Sequence, residues 1–257
     1  MKNSSKLKFL AIIPARYAST RFPAKPLAIL GGKPIIQRVY ERVASFFEHV
    51  CVATDDQRIF DVVKEFGGEV VMTGTHHKSG TDRCYEAFCK VGGSFDVVVN
   101  VQGDEPFIAE SQLASIVDCF NDESTQIATL VKPFTEDDGL TALKNPNSPK
   151  VVVDDRSYAL YFSRSVIPYY RGLPEEEWLK QHTFYKHIGL YAYRSDVLKQ
   201  ITSMPQSILE KVESLEQLRW LQAGLKIKVG YTSVETIGID TKEDLERAEL
   251  HLKKISK

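Results

Sequence analysis

The sequence predicts an α/β fold: one domain with a mostly parallel mixed sheet, helices on both faces and an antiparallel hairpin excursion. Three observations lead there. Strand-like runs alternate with helix-like segments of roughly 10–15 residues through the first half, which implies βαβ units and a parallel sheet. The run "DVVVNV", residues 96–101, is the most strand-like stretch of all. After residue 125 the pattern changes, and "KVVVDDRSYALYFSR" reads as two strands around an Asp154-Asp155 turn.

Taken in order, Phe9–Ile13 is the first buried strand and stops at Pro14. The short apolar piece Pro26–Leu30 ends at Gly31-Gly32, and Pro34 suits the first turn of a helix running to Phe47. His49–Ala53 is the next strand, with Thr54 and Asp55 as candidate caps for the following helix, which Gly67-Gly68 closes before a strand over Glu69–Met72. Thr81–Val91 is helical and precedes the central strand Asp96–Val101. Beyond the hairpin, residues 169–183 read as an exposed loop or short helix, and His187–Tyr193 as a strand. Ser207–Leu221 reads as one amphipathic helix with Ile208, Val212, Leu215 and Leu218 on a single face. A last strand leads into "GIDTKEDLERAELHLKK", where Thr241 and Asp244 form a loose capping box. No linker interrupts the chain.

Bulk properties narrow the function. The 257 residues carry 33 Lys plus Arg against 34 Asp plus Glu, a net charge of −1, so binding to nucleic acid by bulk phosphate neutralisation is not expected. Cys51, Cys84, Cys89 and Cys119 lack CxxC spacing and read as small buried thiols of a reducing compartment. Lys2, Lys6 and Lys8 precede an apolar stretch too short for a signal sequence, and no run reaches membrane-spanning length, so a cytoplasmic chain without a membrane partner is expected.

Three polar clusters follow strands, where open parallel sheets bind ligands. The first, "PARYASTRFPAK", has neither a dinucleotide fingerprint nor a P-loop, but brings Arg16, Arg21 and Lys25 together. Such cations grip a polyphosphate by charge, or are simply solvated. In the second, "NVQGDEP", Asp104 is placed to hold Mg²⁺, or belongs to an ordinary turn. In the third, "GID", Asp240 reads as a strand end that either complements a helix N-terminus or joins Asp104 in a two-carboxylate metal site. "SGTDR" offers Ser79, Thr81 and Arg83 to a base or to a helix cap. Arg164, His187, Glu216 and Gln217 are further polar positions with equally plain structural readings.

In this order, "IIPARYASTRFPAKPL", "VATDD", "SGTDR", "VNVQGDEPFI", "YALYFSRSVIP", "HIGLYAY", "LEQLRWL" and "GIDTKEDLERA" closely resemble the 3-deoxy-manno-octulosonate (Kdo) cytidylyltransferases, from about Phe9 to Leu250. The resemblance implies a nucleotide-diphospho-sugar transferase-like fold over 1–257, with a nucleotide-binding half to 125 and a sugar-binding, dimerising half from 126. It implies CTP and Kdo as substrates, Mg²⁺ as cofactor and a homodimer, the hairpin at 150–164 being a candidate interface. Arg16, Lys25, Asp104 and Asp240 would be catalytic, and the two aspartates would hold the metal. Pro14, Ala15, Arg16, Arg21, Lys25, Ser79, Thr81, Arg83 and Gln102 would bind the nucleotide. Arg164, His187, Tyr191, Glu216 and Gln217 would surround the sugar acid. The chain departs from the family pattern at Ala24, where the loop usually has Gly, at Asp82 for Glu and at Lys242 for Pro. If position 24 needs positive φ, the loop is expected to shift. Two rival functions remain: transfer to a related ulosonic or sialic acid, and a nucleotide-sensing module without catalysis.

Overall fold

A computed structural model describes residues 7–18, 21–235 and 237–255; Lys2 and Lys6 lie outside the described residues. The chain groups into two compact units, one of residues 1–113, 193–202 and 236–257, the other of 114–192 and 203–235. The C-terminal helix therefore belongs with the first half of the chain.

In the first unit four strands lie in the order Val97–Asn100, Phe9–Ala15, Val50–Thr54, Val70–Met72, each neighbouring pair parallel. Ile12 is flanked by Cys51 on one side and Asn100 on the other. Val50–Thr54 and Val97–Asn100 are buried along their whole length, as continuous apolar runs require when both sheet faces are covered. Helix Ile35–Ala44 turns Ile35, Ile36, Val39 and Val43 inward, each side chain contributing about 1.5–3 kcal/mol by burial. Pro34 stands at its N-cap and not in its first turn, and the helix ends at Ala44, three residues short of the expected Phe47.

The next helix, Gln57–Glu65, is capped by Asp56, not by Thr54 or Asp55. The Thr54 hydroxyl instead accepts from the Asp56 amide, and the Asp55 carboxylate is taken by Arg83. Helix Gly80–Val91 starts one residue earlier than predicted, with the Ser79 hydroxyl accepting from the Asp82 amide. The capping box of Thr241 and Asp244 opens helix Lys242–Ile255, with Lys242 as its first residue.

In the second unit Ile227–Tyr231 runs parallel to Ile127–Pro133. The hairpin pairs Lys150–Val153 with Ala159–Ser163 antiparallel, and Lys150 and Val151 continue the ladder onto Lys186 and Tyr185. Strand Tyr185–Arg194 covers the predicted one. Residues 169–183 hold a 3-10 turn, Glu175–Glu177, and a short helix, Trp178–Gln181, whose Trp178 is buried with Phe134, Leu143 and Phe184.

The predicted helix over Ser207–Leu221 is two helices, Ile208–Glu213 and Gln217–Gln222. Ser214 between them is left-handed at φ 51°, which ends the first helix. The predicted apolar face does not survive the break: Leu215 and Leu218 are buried, while Ile208 and Val212 are exposed. Cys51, Cys84 and Cys119 are buried free thiols and Cys89 is exposed. Among the described residues, no helix is long and apolar enough to cross a membrane.

Candidate active site

In the first unit the strands Phe9–Ala15 and Val97–Asn100 are neighbours, and the chain returns to the sheet on opposite sides of this pair. This is the switch point at which open α/β sheets bind ligands beyond the strands' carboxyl ends. Close packing of the two outgoing loops depends on Gly103, because a Cβ there would lie 2.8 Å from the Pro14 carbonyl oxygen.

The cationic loop is folded back by Ala24, which sits in the left-handed region at φ 60°, ψ 18°. The loop has not shifted to spare it; the alanine takes the conformation a glycine adopts freely. The Ala24 amide donates to the Tyr17 carbonyl at 3.1 Å, and its own carbonyl accepts from Leu27 at 2.9 Å. This reversal delivers Lys25, whose ammonium donates to Asp104 Oδ2 at 2.5 Å and to Asp240 Oδ1 at 3.0 Å. Arg21 reaches Asp240 Oδ2 at 3.1 Å.

The two aspartates, 136 positions apart in sequence numbering (240 less 104), thus meet on one cation. Asp240 is not at a strand end, as the sequence suggested. Its segment is positioned by the Ile239 amide, which donates to the Asp104 carbonyl at 2.9 Å, and its own amide donates to Asp244. The ammonium of Lys25 stands where a cation is held between two carboxylates. Such a donor pair fits Mg²⁺, which takes one or two carboxylates and completes its shell with phosphate oxygens and water. Glu105 beside them is pushed up to about 8, chiefly by burial and then by the Asp104 charge, so it adds no full negative charge at neutral pH.

These groups border a cavity of about 250 Å³. Pro14, Ala15, Arg16, Arg21 and Lys25 line it, together with Ser79, Arg83, Gln102, Asp104 and Asp240. Thr81 is the exception among the nucleotide-site expectations: it is buried and does not line the cavity. As the second residue of helix Gly80–Val91 it lies on the packed side. Arg83 is nearly spent, its guanidinium donating to Asp55 Oδ2 at 2.6 Å and to the Thr73 hydroxyl at 2.5 Å. It braces the segment more than it offers free donors. His77 and Lys78 also line the cavity and were missed; their adjacency to Ser79 was the available signal.

The sugar-site expectations all fall in the second unit. His187 and Tyr191 stand four residues apart on one face of strand Tyr185–Arg194, with ring centroids 5.3 Å apart. Burial lowers His187 to about 4, so its imidazole is neutral at pH 7, and its Nε2 lies 3.1 Å from the Thr129 hydroxyl. Tyr191 packs edge-on against Trp220 at 5.3 Å, and its phenol is held well above the usual range by burial and next by the Glu216 charge. Gln217 opens the helix after Glu216; it is buried, and its Nε2 has no hydrogen-bond partner among the described residues. A buried amide donor left open is the kind of group a ligand hydroxyl satisfies. Arg164 donates to the carbonyls of Glu213, Pro146 and Ser214, which uses three of its five N–H donors. The other two have no partner among the described residues.

The helix break at Ser214 is what turns Glu216 and Gln217 as they stand. Glu210 and Arg219 hold the two short helices together through bonds of 2.8 and 2.6 Å between nearly buried side chains.

The family described as Cytidylyltransferase matches residues 10–227. The chain is 69% identical over 247 residues to the 3-deoxy-manno-octulosonate cytidylyltransferase of Phocaeicola vulgatus, covering 96% of this chain and 98% of that one. It is 67% identical to the protein of the same name from Bacteroides thetaiotaomicron, over 96% of this chain and 99% of the other. Among solved structures, a CMP:2-keto-3-deoxy-manno-octonic acid synthetase complexed with CTP superposes with a TM-score of 0.88 at 40% identity, covering 96% of this chain and 99% of that one.

Proposed function

This chain belongs to the 3-deoxy-manno-octulosonate cytidylyltransferases, and on that ground we propose that it transfers CMP from CTP to the anomeric 2-hydroxyl of Kdo, releasing pyrophosphate and supplying CMP-Kdo for lipopolysaccharide biosynthesis. The observation that carries the reading is Lys25 held between Asp104 and Asp240 in the lining of a cavity that Arg16 and Arg21 also line. Cations for a triphosphate and carboxylates for a metal share one small space there.

Arg16, Arg21 and Lys25 bind and orient the triphosphate, with the Arg forks fitting phosphate oxygens in pairs and Lys25 acting as a point charge. Lys25 and Arg21 exchange a carboxylate partner for a phosphate oxygen as the nucleotide enters. Pro14, Ala15, Ser79 and Gln102 take the base and ribose, with Arg83 holding their segment in place. Asp104 and Asp240 hold Mg²⁺, which when bound offsets the repulsion between two anionic substrates and the charge growing on the leaving pyrophosphate.

His187, Tyr191, Glu216 and Gln217 align the sugar acid, and the two open donors of Arg164 take its carboxylate or hydroxyls. A neutral His187 exchanges hydrogen bonds with hydroxyls without adding charge. Attack of the 2-hydroxyl on the α-phosphorus then displaces pyrophosphate in line, and alignment of the two reacting atoms supplies much of the rate. The protein acts as a cytoplasmic homodimer; exposed Leu160 on the hairpin supports an interface there.

The test is pyrophosphate release from CTP with Mg²⁺, offering Kdo or a sialic acid as acceptor and CTP alone as control. Release with Kdo only is expected. Release with the sialic acid only would keep the chemistry and overturn the sugar site, and no release from folded protein would overturn the reaction.

A further inference from the structure

We propose that His76, His77 and Glu86 form a second cation site, distinct from the aspartate pair, that takes a borderline divalent transition metal of the Zn²⁺ class. One ligand atom from each of the three lies within 4.8 Å of the others. His77 Nε2 already rests against Glu86 Oε2, and the two imidazoles lie side by side with centroids 4.3 Å apart. Two imidazole nitrogens and one carboxylate are a donor set that Zn²⁺ and Co²⁺ accept in four-coordinate sites, leaving one position for water. Mg²⁺, which prefers oxygen throughout, is a poor match for it.

The surroundings orient these ligands as metal sites require. The Gly74 amide donates to Glu86 Oε2 at 2.9 Å, and Lys90 holds Oε1 at 2.7 Å. The Lys90 contact is the main reason Glu86 is lowered to about 2, which keeps it a carboxylate whenever the imidazoles are neutral. Gly74 also makes room: a Cβ there would fall 2.3 and 2.4 Å from His76 Cε1 and Nδ1. His77 is one of the residues lining the nucleotide cavity, so an ion bound here would stiffen one of its walls.

The site is tested by titrating the intact chain with Co²⁺ in excess Mg²⁺, reading the visible absorption of four-coordinate Co²⁺ and its displacement by Zn²⁺. The expected result is one equivalent bound, with His76→Ala, Glu86→Gln and Gly74→Ala each weakening binding at least about tenfold. Asp104→Asn and Cys89→Ser should leave the Co²⁺ spectrum unchanged. Absence of the signal in the native chain would reduce the contact to an internal His77–Glu86 bond and overturn the proposal. So would unchanged affinity in His76→Ala, or loss of the signal in Cys89→Ser. The spectrum is independent of turnover, so its failure is distinguishable from failure of the transferase reading.

Discussion

Replacing Arg219 with methionine should unfold the second unit more easily and, through it, disturb Gln217. Glu210 and Arg219 are 6% and 8% exposed, and the guanidinium makes two bonds to the carboxylate and a third to the Met204 carbonyl. Methionine keeps most of the aliphatic bulk but leaves a carboxylate in a nearly dry position. Among the described residues, the Ser207 amide and the slightly more distant Gln206 side-chain amide still face it. Breaking a buried pair from one side costs about 3–5 kcal/mol. For a chain of this size that is a fall in Tm of about 6–20 °C.

The pH dependence separates this cause from lost packing. Burial alone would raise the Glu210 pKa, but the Arg219 bonds and charge outweigh it and the folded value ends below 4.5. Its contribution is therefore present above the unfolded pKa and is lost as pH falls through the folded one. In Arg219→Met the unpaired carboxyl is held protonated by burial, so the gap from the native protein should shrink as pH falls from 7.5 toward 4.5. Calorimetric melts of Arg219→Met and of Arg219→Met/Glu210→Gln across that range decide it, with the double variant recovering most of the loss. A fall below 2 °C at neutral pH, on the order of half a kcal/mol, or a gap that does not change with pH, would refute the argument.

Asp104→Asn should abolish pyrophosphate release, by at least about a hundredfold, while the melting profile stays close to native; near-normal turnover at saturating Mg²⁺ would sink the assignment. Ala24→Gly should raise Tm by about 1–2 °C, because relief of the left-handed alanine exceeds the added freedom of the unfolded chain by about half a kcal/mol, and a lowered Tm would count against strain at that residue. His187 is lowered to about 4 by burial, so the unfolded state takes up its proton first and stability is lost as pH falls from about 6.5 toward 4. The Tm advantage of native protein over His187→Gln should therefore narrow over that interval, and a constant difference would show that the imidazole stays accessible to protons.

What was legible in the residues is what local chemistry dictates. Phe9–Ala15, Val50–Thr54 and Val97–Asn100 are apolar runs with no other stable place than a covered sheet, so their strands and their parallel pairing were readable, though not their order. Motif order carried the family, since the opening loop, "SGTDR", "QGDEP" and "GID" keep one sequence of residue types. Tertiary structure alone decided which of these side chains meet. Asp104 and Asp240 come together through one backbone hydrogen bond and one lysine, and no spacing encodes a contact between residues so far apart. Asp55 left its expected cap because buried Arg83 needed a counter-charge, and Thr81 turned away from the cavity with the phase of its helix. The periodicity over 207–221 promised one helix because it counts apolar positions and cannot register the left-handed turn at Ser214, which is stabilised by the Glu210–Arg219 pair across the break. Local pattern sets the elements; long-range polar contacts, whose energy exists only in the folded chain, set the site.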